Sequence, residues 1–194
     1  MSSDCPKQPF ESLPGRAFLD TNVVNFILDH GDQIHQSVPC DPSLPARVQW
    51  DIDALRGIFE TGQRAFWQFA VSPLTYREVT ATDNPQRRHY LETWFAELWD
   101  YWRETMRNAN DLPSFLAAEE MRLQLWASDV LAILPDLADR VLICDAIVYK
   151  CDCFCTRDWE SILKHRDMLR DLPIRIITPR EWWSEIQPWA GIWC

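Results

Sequence analysis

Short apolar runs hand over directly to helix-like runs along this chain, and that alternation narrows the possible folds more than any other feature. Arg16 to Leu19 precedes an apolar helical stretch from Asn22 to Leu28. Phe66 to Val71 precedes a helix with Ser72 as N-cap and Pro73 at its first position. Cys151 to Cys155 alternates in strand fashion before a helix over Trp159 to Lys164, and Ile174 to Ile177 leads through Thr178 and Pro179 into a helix over Arg180 to Ile186. Strands alternating with helices predict an α/β fold whose parallel sheet is covered on both faces. In such sheets ligands sit beyond the carboxyl ends of the strands. Asp20 follows the first strand directly.

Two segments depart from the minimal repeat. Gly31 to Pro45 contains prolines and no apolar period, and reads as a loop; Val48, Ile52, Leu55 and Phe59 then mark a short amphipathic helix. Leu91, Phe95, Leu98 and Trp102 continue the helical spacing, so a helical insertion is expected over about 85–135. The core then comprises about 16–30, 66–82 and 136–186, with a loop-and-helix insertion over 31–65, and the 194 residues are expected to form one domain.

Charge limits what the chain can bind. With 19 basic against 29 acidic residues the formal charge is -10, which argues against holding nucleic acid by electrostatics alone. A polyanionic substrate would need a cation as mediator. No charged-then-apolar leader is visible, and no apolar run approaches the ~20 residues needed to cross a bilayer. A soluble, cytoplasmic protein without a membrane partner is expected. Seven cysteines, an odd count without a secretion signal, are expected as reduced thiols.

The acids at strand ends can now be placed, each beside its ordinary alternative. Asp20 at the tip of a strand could simply cap the next helix. Glu78, within the helix opened by Ser72, could be a solvated glutamate. Asp158 follows the strand ending at Cys155 and could cap the helix expected at Trp159. Between them lies a nearly all-apolar helix from about Leu137, which must be buried and yet carries Asp139 and Asp145.

Together these pieces resemble the PIN-domain family. They are FLDTN at 18–22, a mid-chain helix bearing Glu78, a helix-borne aspartate, and CDCFCTRD at 151–158 with a Thr-x-Asp ending. Lys150 stands where a glycine is expected. The resemblance implies a three-layer α/β/α fold with a central parallel sheet, and four acids at the sheet edge, Asp20, Glu78, Asp139 and Asp158, that bind magnesium or manganese and carry catalysis. It implies that Asn22 supports the first aspartate or a metal-bound water, and that Thr156 positions the last acid; both could equally be turn or cap residues. The implied function is a metal-dependent endoribonuclease, including the toxin of a toxin–antitoxin pair, with RNA as substrate and an antitoxin protein or a second copy as partner.

The helix offers two aspartates for one place. Six residues span about 600° of helical rotation, which leaves about 120° between the two side chains, so they cannot both face one metal directly. The helix-plus-turn length implied by the resemblance, counted back from Asp158, favours Asp139. Its alternative is a capping box with Asp136, and Asp145 remains its competitor. Clustered carboxylates repel and take up protons unless a cation neutralises them. Magnesium prefers hard oxygen ligands and keeps waters, and it can orient a phosphate and activate a water. Arg77, Arg157 and Lys164 flank the motifs as candidate phosphate contacts, against the alternative of ordinary solvated charges.

Other signals point elsewhere. Cys151, Cys153 and Cys155 on one strand would face one side at about 6.6 Å intervals, too far for the outer two to share one ion, and are expected as buried thiols. His30, His35, His89 and His165 show no ligand spacing. Trp94 and Trp102 belong with the apolar stripe; Trp182, Trp183, Trp189 and Trp193 are less easily buried and could stack on RNA or cover a partner. FLDTNVV also resembles the Asp-x-Asp signature of haloacid dehalogenase-type phosphatases, but Asn22 replaces the second acid and no downstream Gly-Asp-x-x-x-Asp motif follows. A PIN-like module that binds RNA or protein without cutting it is the other alternative.

Overall fold

Leu19, Ala70, Cys155 and Ile177 each end a short strand of one sheet. The structure is a computed structural model and describes residues 9–36, 38–81, 83–107, 113 and 115–191, without the side chains of 87, 98–107 and 115. The strands β1 (Arg16–Leu19), β2 (Gln68–Ala70), β3 (Cys153–Cys155) and β4 (Arg175–Ile177) are all parallel and lie in the order β2-β1-β3-β4. Register places Ala17 beside Phe69 and Cys153, and Phe154 beside Ile176. From β1 the chain moves outward to β2, then crosses back to β3 on the other side of β1. The order therefore reverses between β1 and β3, the kind of crevice where α/β sheets bind ligands.

Side-chain alternation along the strands divides the core into two layers of packing. Ala17, Leu19, Phe69, Val71, Cys153 and Cys155 face one cluster. That cluster is closed by α1 (Thr21–Asp29), α3 (Ala46–Ala65) and α8 (Pro179–Ala190), through residues such as Val24, Leu55 and Trp182. Phe18, Ala70 and Phe154 face the other cluster, closed by α7 (Leu137–Val148) through Leu142, Ile143 and Ile147. Phe18 and Phe154 stack with their ring centroids 5.4 Å apart, and each buried ring of this kind contributes about 1.5–3 kcal/mol. Helices on both faces of a parallel sheet give the three-layer α/β/α architecture expected from the sequence.

The remaining helices fill the crossovers. α2 (Gly31–His35) lies within the stretch expected as a loop, with Ile34 buried in the core; one turn is too short to show an apolar period. α4 (Pro73–Thr80) opens on a capping box in which the Ser72 hydroxyl accepts from the amides of Leu74 and Thr75. α5 (Pro85–Arg107) and α6 (Phe115–Ala127) occupy the expected helical insertion, and Leu91 and Phe95 are buried. The side chains of Leu98 and Trp102, and all of Trp193, lie outside the described residues. Among the described residues, no helix is long and apolar enough to cross a membrane.

Four further expectations are corrected. Phe66 does not begin β2 but closes α3 in the left-handed region at φ 56°. Cys151 lies outside β3 and packs in the opposite cluster from Cys153 and Cys155, so the three thiols do not share a face. The reason is Lys150, whose φ of 52° turns the chain between α7 and the sheet, at the place where a glycine is expected. In place of a helix over Trp159–Lys164, the chain makes turns and then a 3-10 segment, Leu163–Leu169. Finally, Trp182 is wholly buried against Trp67 and Phe69, and Trp183 and Trp189 pack against the same core. The α3–α8 contact is tight because Gly57 leaves room for the Trp183 ring: a Cβ there would meet it at 2.5 Å.

Candidate active site

Asp20 follows β1 and occupies the N-cap position of α1, but its side chain makes no capping hydrogen bond. Its Oδ2 accepts instead from Asn22 Nδ2 at 2.7 Å and from the Thr156 hydroxyl at 2.5 Å. Only 3% of the residue is exposed. Burial, opposed by the Thr156 hydrogen bond and reinforced by the charges of Asp139 and Asp158, pushes its carboxyl up to about 7. The ordinary reading of Asp20 as a helix cap therefore fails in this fold. Its carboxylate turns toward the end of β3.

Asn22 and Thr156 join the ends of β1 and β3. The Asn22 amide donates to Asp20 and, at 3.2 Å, to Thr156 Oγ1, while its Oδ1 accepts from the backbone N–H of Arg157 at 3.0 Å. Thr156 Oγ1 also accepts from the Asp158 amide at 3.0 Å. One carboxylate, one amide and one hydroxyl thus fix the two strand ends relative to each other across the switch point.

Asp158 closes the turn that replaces the expected helix, rather than capping a helix. Its Oδ1 accepts from the amides of Glu160 and Ser161, each at 2.8 Å. Its Oδ2 accepts from the Ser161 hydroxyl at 2.6 Å, and the same hydroxyl lies 2.5 Å from Asp139 Oδ2. Burial raises the Asp158 carboxyl, but the Ser161 and Glu160 hydrogen bonds and the nearby Lys164 charge outweigh it and hold the group low. Asp139 sits in the first turn of α7, and burial together with the charges of Asp158, Asp136 and Glu78 raises its carboxyl despite the Ser161 hydrogen bond. Asp136 caps α7 through the Ala138 amide. Glu78 on α4 accepts from the Thr21 hydroxyl at 2.5 Å.

Asp145 points elsewhere. It accepts from Arg122 of α6 through Nε at 3.1 Å and Nη2 at 2.9 Å, and so ties α7 to α6. Arg157 is also occupied: its Nε donates to Asp51 at 2.8 Å, and its guanidinium lies 3.6 Å from the centroid of the Phe26 ring. A phosphate contact by Arg157 would have to compete with both. Arg77 and Lys164 are exposed.

The structure thus brings Asp20, Asp139 and Asp158 into mutual electrostatic reach, with Glu78 acting on Asp139. Among the described residues none of the four is ion-paired. No three His, Cys, Asp or Glu side chains among them converge closely enough to grip one ion together. The donors are nonetheless all hard oxygens, and magnesium keeps several waters while binding through one or two carboxylates. The residues present therefore suit a hydrated divalent cation rather than a dehydrated one. Sequence reasoning missed Thr21 and Ser161. Ser161 could have been found from its place three residues after an aspartate that closes a turn, where a hydroxyl can meet the carboxylate. Compared with family models, curated proteins and solved structures, the chain matches none.

Proposed function

We propose that the protein is a metal-dependent endoribonuclease that hydrolyses phosphodiester bonds at the edge formed by Asp20, Glu78, Asp139 and Asp158. The observation that supports this reading most is the contrast in charge balance: Asp145 and Asp51 are each paired with an arginine, whereas the four edge acids are held by hydroxyls and amides, and the neighbouring acids raise the proton affinity of Asp20 and Asp139. A cluster of that kind stays ionised at neutral pH when an external cation joins it. Magnesium or manganese bound there would supply an activated water and offset the charge that develops on the phosphate.

The chain's own residues do the positioning. Asn22 and Thr156 hold Asp20 Oδ2, so that its carboxylate cannot swing back to cap α1. The Ser161 hydroxyl lies within hydrogen-bond distance of both Asp139 and Asp158 and donates its one proton to either. Asp20, protonated to about pH 7 when alone, gives up that proton when a cation arrives, so binding strengthens as pH rises. Asn22 cannot serve as the general acid that a haloacid dehalogenase-type phosphatase requires, because an amide does not titrate and both of its ends are engaged.

The test is incubation of the purified protein with a panel of mixed single-stranded RNAs in manganese, magnesium or chelator. Cleavage that requires the divalent ion and leaves 5′-phosphate ends is the expected result. Cleavage undiminished in excess chelator would overturn the proposal, as would intact RNA under every metal condition.

A further inference from the structure

In this acidic chain, cations and one exposed indole line a groove between the N-terminal half of α3 and the start of α8, and a second exposed indole, Trp50, lies beside it under Arg180. The groove encloses about 380 Å³ and is lined by Arg47 and Asp51 of α3, Arg157 and Trp159 after β3, and Arg180 and Glu181 of α8. The Arg47 guanidinium lies 5.0 Å from the Trp159 ring centroid, and Arg180 lies 4.5 Å from that of Trp50. Arg47 and Trp50 are three residues apart on α3 and so share one side of it. One arginine–indole contact therefore lies in the groove and a second borders it.

The groove has a surplus of positive charge. Asp51 is taken by Arg157 and Glu181 by Arg166, at 2.8 and 2.7 Å. Arg47 and Arg180 have no carboxylate partner among the described residues. Trp50 is 53% and Trp159 49% exposed; with an arginine over one face of each ring, the exposed area leaves the indoles open to a second flat partner. A guanidinium held over an indole is also pre-organised to meet an anion, because less side-chain freedom remains to be lost. Cations for phosphates beside aromatic faces for bases are the pair of features by which proteins hold single strands.

Arg157 connects this groove to the acid edge. Its backbone N–H donates to Asn22 Oδ1, and the next residue is Asp158. We propose that the groove holds the flank of a single-stranded RNA, with phosphates on Arg47 and Arg180 and unpaired bases stacked on Trp159 and Trp50. The placement of the scissile phosphate at the acid edge rests on the nuclease reading; binding in the groove does not.

The experiment separates the two by measuring binding in excess chelator, where no cleavage occurs. Fluorescence anisotropy of a short labelled single-stranded RNA should show that the Arg47→Ala/Arg180→Ala pair weakens binding by tenfold or more. The same pair should flatten the slope of log affinity against log salt by about 1.4, the loss of two single-strand phosphate contacts. Trp159→Ala should weaken binding by about tenfold, and Trp159→Phe should restore most of it, which guards against a loosened fold. The same sequence annealed to its complement should bind at least tenfold more weakly, since paired bases cannot stack on protein rings. No binding by the wild-type protein, or binding unchanged in the arginine pair and in Trp159→Ala, overturns the inference. Groove-dependent binding without cleavage in any metal would sink the nuclease reading and leave the groove standing; cleavage with groove-independent binding would do the reverse.

Discussion

Asp139 and Asp145 sit on the same helix, six residues apart, and meet opposite fates. Asp145 is clasped by Arg122 and tied to α6. Asp139 shares a serine hydroxyl with another aspartate and lies in the field of Asp158, Asp136 and Glu78. One carboxylate has its counter-charge inside the chain, and the other has only hydroxyls and more acids. Burying an acid beside its own cation is a way to fix two helices, whereas gathering acids without one costs stability unless something outside supplies the charge. On the reading proposed above, the difference makes Asp145 structural and the edge acids the place that would receive a cation.

The strongest way to break that comparison is to neutralise the edge. Asp20→Asn or Asp139→Asn should lower metal-dependent RNA cleavage by at least about a hundredfold, while thermal melting of the metal-free protein stays level or rises through relieved repulsion. A fall in melting temperature with cleavage intact would assign these residues to the fold instead.

Acidity gives the next largest effect. Asp20 keeps its proton to about pH 7 in the folded state but releases it near 3.8 when unfolded. The folded state thus holds the extra proton between those values, so the metal-free protein should lose stability as pH rises from about 4 to about 7, on the order of 4 kcal/mol for this one group. Asp139 and Asp145, also raised, act in the same direction. Asp158, held low, opposes them, its contribution being lost as pH falls through its folded value. Urea melts across this range should show the decline, and Asp20→Asn should remove most of it. A wild-type stability that rises over the same interval would contradict the buried, unpaired carboxyl.

On the structural side of the comparison, Asp145→Asn leaves Arg122 with only the exposed Glu119 as a charge partner, and should cost about 1–3 kcal/mol by chemical denaturation because the pair is only partly buried. Cleavage should persist with the same metal dependence. The smallest effect concerns the junction after the same helix. Lys150 pays the left-handed penalty at φ 52°, so Lys150→Gly should change stability by no more than about 1 kcal/mol, relief of strain offsetting the added freedom of the unfolded chain.

Much of the edge was legible in the sequence because it is written in short-range signals. The bounds of β1, the Ser72 cap of α4 and the Thr178–Pro179 entry into α8 each depend on a few neighbouring residues. So does the placing of Asp20 and Asp158 after their strands. What escaped depends on partners remote in sequence. Nothing local to Arg157 tells that Asp51, more than a hundred residues earlier, would take its guanidinium. Nothing around Trp182 tells that Trp67 and Phe69 would bury it. Cys151 kept the strand's alternation of residue types, yet a left-handed residue before it sent it to the opposite layer.

The central claim, that the edge acids and not the clasped aspartate receive a divalent cation, is tested most directly by calorimetric titration of manganese into the metal-free protein and its two α7 variants at one pH above 7. Wild type and Asp145→Asn should bind with similar affinity, and Asp139→Asn at least about tenfold more weakly, with melting curves confirming that all three are folded. Equal binding by the wild type and Asp139→Asn, or loss of binding in a folded Asp145→Asn, would contradict the account.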